Sequence, residues 1–491
     1  MFDNFLMGLY SILQPINLFS VLVGVVSGIT IGALPGLSAT MGAAILLPFT
    51  FVMEPIPAIA MLSALYCGAT YGGSISAILI NTPGTPAAAV TTLDGYELAK
   101  KGKAGKALGA SVIASGIGGL FSVLVLMLVA PQLAKIAITF AAPEYFALAI
   151  FGLSMVVNIK SGNELKNIIG GLTGLFLATV GMDRLTGFSR FAFGNVHLLS
   201  GINFIPVMIG LFAATEVFRL AETWDKSEII ETDFSDLLPK ISEILPLKWS
   251  ILRSAIIGTF IGILPAEGGT VAAFISYNEA KRWSKHPEKF GTGILEGVTA
   301  PETANNAATG GAMIPTLTLG IPGSSTTAVI LGGLMIQGLR PGPLLFVQQP
   351  NFIWSIFVAM AIANIFFLFA GLFGVKIFAQ VTRIPINILA PIIMVLCVIG
   401  SYALHNNIAD VWIMLIAGLM GSLFRKIGFS PVPIVLGMVL GELIEVSLRQ
   451  TMIIFDNNLS IFFTRPYSAV FLSLAILSVL WPFIRKSFKK R

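Results

Sequence analysis

The chain has 491 residues, 55% of them hydrophobic and 11% charged, a formal net charge of +6 and a mean hydropathy of +0.88. These values exclude a soluble enzyme or a nucleic-acid-binding protein, because basic residues this sparse in an apolar chain act as topology signals. Two cysteines in apolar segments, Cys67 and Cys397, and three scattered histidines argue against a disulfide framework or a transition-metal site.

The N-terminal stretch MFDNFLMGLYSILQPIN has no basic n-region and no cleavage pattern, so no removed signal peptide is read there. Apolar stretches near the ~20 residues that cross a bilayer follow at 18–34, 108–130, 145–159, 354–378, 389–403, 411–423 and 469–484. With shorter and broken stretches they predict roughly a dozen crossings or part-crossings, hence an all-α polytopic membrane protein. Basic clusters at Lys100, Lys101, Lys103 and Lys106, at Lys281, Arg282, Lys285 and Lys289, and in the tail RKSFKKR are read as cytoplasmic.

The chain also repeats itself. GITIGALPGLSATMGAA (28–44) aligns without gaps over GTFIGILPAEGGTVAAF (258–274), and seven of 17 positions match. INTPGTPAAAV (80–90) aligns over LGIPGSSTTAV (319–329), sharing Pro83/Pro322 and Gly84/Gly323. The connection between the two motifs is FVMEPIP in the first copy and the basic KRWSKHPEKF in the second. After the second motif the bias reverses, to DGYELAKKGKAGK against QGLRPGPLLFVQQPN. Equivalent loops then face opposite sides of the membrane, which is the pattern of inverted-topology repeats.

The expected organisation is a first repeat over 1–220, an acidic linker over 221–249, and a second repeat over 250–491 with C-terminal helices and the basic tail. Each repeat would hold a re-entrant hairpin (near 18–52 and near 250–278) and a broken helix (near 58–93 and near 299–339). Two full crossings joined by a tight turn are the alternative for the first hairpin.

Irregular backbone at membrane depth is tolerated only inside protein or beside a wet cavity. Proline removes a donor, glycine permits unusual backbone angles, and Ser or Thr after a break can cap the next half-helix. Such an N-terminus suits a carboxylate, and carbonyls at the opposite ends suit a small hard cation. Glu302 and Asn305, three apart in APETANNAATGG, can share one helical face beside the second break. Against this reading, a lone Pro-Gly kink is usually structural, and Glu302 could be a capping residue near a helix start. Glu442, Glu445 and Arg449 read as a structural ion pair set, and His405 with Asp410 as a solvated loop. Arg184 and Arg190 suit an anion or a loop anchor. No Walker loop, dinucleotide motif or nucleophile–His–acid set is present.

GALPGLSATMGAAILLPFTF, LINTPGTPAAAVTTLDGYELAKKGKAGKALG, GMDRLTGFSRFAFG, GILPAEGGTVAAFISYNEAKRWS and GVTAPETANNAATGGAMIPTLTLGIPGSSTTAVILGGLMIQGLRPGP resemble the large membrane subunit of tripartite tricarboxylate transporters, the TctA family. The resemblance runs from about residue 16 to the C-terminus. It implies a permease of the bacterial inner membrane that works with a small four-helix membrane subunit (TctB-like) and a periplasmic substrate-binding protein (TctC-like). It also implies import of citrate or related carboxylates by symport with Na⁺ or H⁺, with no cofactor and no enzymatic step.

Joined to the breaks, this reading assigns carboxylate contacts to Gly36, Ser38, Thr40, Gly268, Gly269 and Thr270 at the hairpins. Asn81, Thr82, Gly84, Thr85, Gly323, Ser324, Ser325 and Thr326 would line the broken-helix ends. Asn305 and Asn306 would add neutral polar contacts. Glu302, with Asn305, would serve the coupling cation or proton, and a Na⁺ would lie near the same breaks. The rival readings are a carboxylate channel or transporter independent of a binding protein, an intramembrane enzyme and a membrane sensor.

Overall fold

The computed structural model describes residues 1–155, 164–183, 186–222, 239–265, 268–381 and 386–489. It is 81% helical, and the strands among the described residues form one antiparallel pair, Gly181–Met182 with Ser189–Arg190. Among the described residues, six helices are long and apolar enough to cross a membrane: Pro15–Ala33, Pro55–Ile80, Ala104–Ala137, Ile241–Ile263, Pro350–Phe373 and Ile408–Lys426. Shorter apolar helices include Ala39–Val52, Ser325–Ile336, Ala390–Ala403 and Pro466–Leu480. The acidic linker falls mostly outside the described residues, as do Arg184, Ala266, Glu267 and the last two residues of the tail.

The chain forms two compact units, one from Met1–Ala134 with Arg219–Leu396 and the other from Lys135–Phe218 with Cys397–Arg491. In the first unit, ten helices matter below: α1 (Pro15–Ala33), α2 (Ala39–Leu46), α3 (Pro55–Ile80), α4 (Thr92–Lys100), α5 (Ala104–Ala137), α6 (Lys248–Ile263), α7 (Gly268–Trp283), α8 (Glu296–Leu319), α9 (Ser325–Ile336) and α10 (Pro350–Phe373).

Prolines set where α1 and α6 stop. The residue before a proline is driven out of the helical region. Leu34, before Pro35, is extended at φ −79° and ψ 121°. Leu264, before Pro265, has φ −74° and ψ 129°. Leu37 then donates to the Leu34 carbonyl, and Gly36 takes φ 87°. Proline followed by a positive-φ glycine inside such a bond makes a type II turn. Ser38 closes it by accepting from the Met41 amide at 3.2 Å, which caps α2.

The matched sequence positions recur as matched contacts. Gly28 and Gly32 of α1 lie against the Leu65 and Ala69 carbonyls of α3, while Gly258 and Gly262 of α6 lie against the Ala304 and Ala308 carbonyls of α8. In return, Gly72 of α3 meets the Ile29 carbonyl, and Gly311 of α8 meets that of Thr259. Only a residue without Cβ lets two backbones approach so closely. Helix α3 ends in a left-handed residue, Asn81 at φ 53°. Helix α8 ends in another, Gly320 at φ 70°. Beyond each cap the chain folds back onto its own helix. The Gly84 amide donates to the Gly73 carbonyl, and the Gly323 amide donates to Thr316 Oγ1 at 3.3 Å.

Packing within this unit is crossed. Helix α9 lies on α2, and α7 lies on the 3₁₀ turn Pro86–Ala89. Each hairpin's second arm therefore covers the segment after the other copy's break. Ala87 and Val90 share an apolar cluster with Ala273, Tyr277 and Ala280 of α7 and with Ala300 of α8.

Sequence reasoning puts Glu302 beside the second break, and here the structure differs. Helix α8 runs unbroken through Pro301 and Pro315. Glu302 stands about 27 Å along the axis from Gly320. The threonines explain the polarity of this buried helix. Thr303, Thr309, Thr316 and Thr318 donate to carbonyls of their own helix.

In the second unit, the helix Val432–Ile454 packs on Glu164–Ala178 and Ala142–Ser154, and Pro466–Lys489 packs on Ala142–Ser154. A π-helical turn, Ile209–Ala214, packs on Ile408–Lys426. Ion pairs tie the strand hairpin down. Arg190 makes a bidentate pair with Glu445 at 2.6 and 3.2 Å, which raises the guanidinium above its ordinary pKa. Arg449 donates to Asp183 at 2.5 Å. Glu445 and Arg449 are 3.8 Å apart, so their main partners lie on the hairpin and not on each other. His405 is bonded to the buried Asp410 at 2.7 Å, so this pair is structural and not merely solvated.

Candidate functional site

Two helix N-termini meet in the first unit. Ser324, extended at φ −149°, caps α9 by accepting from the Thr327 amide at 3.1 Å, and Thr327 Oγ1 accepts in return from the Ser324 amide. Thr40, in the first turn of α2, places its hydroxyl 2.7 Å from Ser325 Oγ and 3.0 Å from Thr326 Oγ1. The Tyr66 hydroxyl of α3 is 3.2 Å from Ser324 Oγ. Thr40, Ser324, Ser325, Thr326 and Tyr66 thus form one hydroxyl cluster at the positive ends of two helices, and Ser38 caps the first of them. Such a locus offers donors to an anion without a fixed positive charge.

Glu302, Asn305 and Asn306 of α8 face different neighbours. Glu302 is fully buried and accepts from Thr91 Oγ1 and, at 3.3 Å, from Ser115 Oγ of α5. Asn305 donates to the Thr70 carbonyl of α3 over a long 3.5 Å. A side chain at Gly269 would meet Asn305 Oδ1 at 3.1 Å, so the first turn of α7 approaches that amide. Asn306 donates to the Glu302 carbonyl at 3.2 Å, and its Oδ1 is buried without a partner. Glu302 and Asn305 therefore do not act on one shared face as their spacing suggests: one reaches α5 and the segment after the first copy's break, the other α3 and α7.

Other expected positions add no hydroxyl to the cluster. Gly36 and Asn81 are exposed turn residues with positive φ, and Thr82 donates to its own Ile80 carbonyl. Gly84 and Thr85 pack against Gly73, with Thr85 Oγ1 buried and unpartnered. Gly268 packs on Gly262, Gly323 packs on Ala312, and Thr270 is half-buried in the first turn of α7.

Sequence reasoning misses Tyr66, Tyr71, Thr91 and Ser115. A signal exists for the tyrosines, since a phenol inside an apolar helix needs a polar partner. None exists for Thr91 or Ser115, whose partner lies about two hundred residues away.

The first basic cluster lies beside the loop that follows the second. Lys101 donates to the Thr292 carbonyl. Buried Asp94 accepts from the amides of Gly291, Gly293 and Ile294 at 2.8 to 3.0 Å and from the Tyr277 hydroxyl at 2.8 Å. Among the described residues, no group of three or more His, Cys, Asp or Glu could hold a metal ion.

Comparisons with known proteins agree in direction. The model of the tripartite tricarboxylate transporter TctA family matches residues 18–436. A 52.8 kDa protein from the TAR-I ttuC′ 3′ region of Agrobacterium vitis is 40% identical over 477 residues, 97% of this chain and 95% of that protein. A second, from the TAR-II ttuC′ 3′ region of the same organism, is 39% identical over 223 residues, 45% of this chain and 92% of that protein. No solved structure matches.

Proposed function

The chain belongs to the tripartite tricarboxylate transporter TctA family, and on that premise we propose that it is the large permease subunit of a binding-protein-dependent secondary transporter. It imports tricarboxylates or related carboxylates across the bacterial inner membrane by symport with Na⁺ or H⁺. A TctB-like small membrane subunit and a TctC-like periplasmic binding protein complete the system.

The observation that carries this reading is the hydroxyl cluster where α2 and α9 begin, at 2.7 and 3.0 Å across the two copies. Two positive helix ends and a ring of neutral donors suit a multiply charged carboxylate that must be bound and released, where an arginine would hold it tightly. Asn305, beside the first turn of α7, supplies a second neutral contact. The contact of Lys101 with Thr292, just past the basic loop 281–289, supports one shared cytoplasmic face for that loop and 100–106 by the positive-inside rule. The matched contacts of α1–α3 and α6–α8 support inverted repeats that give alternating access.

The test is uptake of labelled citrate and a panel of di- and tricarboxylates into proteoliposomes holding this chain and its small subunit, with binding protein outside. Uptake that needs both an ion gradient and the binding protein supports the proposal. Gradient-independent flux without the binding protein replaces it with a channel.

A further inference from the structure

Glu302 sits in a setting built for neutralisation. None of its side chain reaches solvent. Its carboxyl oxygens have two neutral donors, the hydroxyls of Thr91 and Ser115. Among the described residues no lysine, arginine or histidine pairs with it. The other ionisable groups around it are held by their own neighbours or are neutral. Tyr71, on α3, is fully buried, stacks on Phe367 of α10 at 5.4 Å and keeps its hydroxyl without a partner. Cys67, also on α3, faces Asn364 of α10. Asp94, on α4, is taken up by Tyr277 of α7 and the amides of 291–294. Glu296, at the start of α8, accepts from Ser284 at 2.6 Å.

An isolated buried carboxylate loses more solvation than two hydroxyl bonds return, so such a group takes up a positive charge. A carboxyl proton needs an acceptor where a carboxylate needs a donor. Hydroxyls reverse between the two roles, and the unpartnered Asn306 Oδ1 lies one helical turn away on the same helix. The position matters as much as the chemistry. Glu302 belongs to α8, which leads into the Ser324–Thr326 end of the hydroxyl cluster. Thr91 lies just past the first copy's break, so the Thr91–Glu302 bond joins the two copies.

We propose that Glu302 carries the coupling proton. It takes one proton from water in the outward-open state, crosses neutral with its carboxylate substrate, and returns that proton to water in the inward-open state. This inference rests on the transport reading above and specifies the ion.

The test uses the reconstituted complex with the carboxylate that the wild type exchanges best. Three quantities are measured: net uptake under an inward proton gradient, exchange of labelled for unlabelled substrate from pH 5.5 to 8.5, and proton entry with a trapped pH dye. Glu302→Gln mimics the proton-loaded form. It is expected to lose gradient-driven uptake and proton entry by about tenfold or more, while exchange stays measurable and no longer varies with pH. Glu302→Asp, which keeps a carboxyl, is expected to recover proton-driven uptake in part. Proton-driven uptake by Glu302→Gln would overturn the proposal. So would wild-type uptake that follows a sodium gradient and ignores a proton gradient, or a folded Glu302→Gln protein without exchange beside an active wild type. Absence of exchange in the wild type would instead overturn the transport reading itself.

Discussion

The Thr40 hydroxyl lies 2.7 Å from that of Ser325, although 285 residues of chain separate them. Each stands in the first turn of a helix that begins at a proline-glycine break, one in each copy. The contact joins breaks of two different kinds, a hairpin tip and the restart of a broken helix. A site at that junction draws on both copies.

Loss of these hydroxyls should weaken substrate handling more than folding. A hydrogen bond to a charged group contributes about 1.5–3 kcal/mol. Thr40→Ala and Ser324→Ala are therefore each expected to raise the KM for carboxylate uptake about tenfold. Ser324→Ala also removes a helix cap, costing about 1 kcal/mol of stability. Asn305→Ala should act in the same direction. Unchanged transport by folded Ser324→Ala and Asn305→Ala proteins would rule out the site assignment.

The glycine contacts predict symmetric intolerance. Gly32→Val and Gly262→Val each push a branched side chain into a carbonyl of the facing helix, Ala69 or Ala308. Each is expected to lower stability by about 1–3 kcal/mol, read as a fall in thermal midpoint in detergent. A midpoint equal to wild type for either variant would mean that the helices can separate freely at that point.

Asp94→Ala leaves three amides and the Tyr277 phenol without their acceptor. The buried Tyr277 hydroxyl left unpaired costs about 1–3 kcal/mol, and the partly exposed amides cost less. Amide hydrogen exchange at 290–295 should rise well above wild type, and Asp94→Asn should be milder because one acceptor oxygen remains. Wild-type exchange rates in Asp94→Ala would show that the loop is held by other means.

Sidedness can be read with thiol reagents, because Cys67 and Cys397 are buried and give little background. Lys101→Cys and Lys285→Cys should both react with an impermeant maleimide from the cytoplasmic side and neither from outside. Labelling of the two from opposite sides would contradict the shared face of these loops.

Much of this was legible because the signals are local. Pro35 and Pro265 mark the ends of α1 and α6 through the residue before them, and Ser38 and Ser324 announce the helix starts that follow. The aligned glycines mark close helix pairs because each has a backbone for a neighbour. What sequence could not supply was the pairing between copies. Nothing in LYCGATYGG says that Tyr66 will find Ser324, and nothing beside Thr91 points to Glu302. The distance of Glu302 from the second break was not legible: GIPGSS marks the break, but Glu302 lies far back in the unbroken helix before it, whose threonine hydroxyls bond to their own carbonyls.

The crossed packing sets a timetable for biogenesis. The Thr40 and Thr91 hydroxyls, the Thr50 carbonyl and the Asp94 carboxylate take partners from the second copy, at 325–326, 302, 337, and 277 with 291–294. At ~5–20 residues per second, the ribosome needs roughly 15–60 s to reach Ser325 after Thr40. Through that interval the first hairpin and the turn after the first break are in the membrane without the surfaces that will cover them. A slow stretch of translation between the two copies would lengthen the exposure, and an insertase that shields small polar hairpins would shorten it.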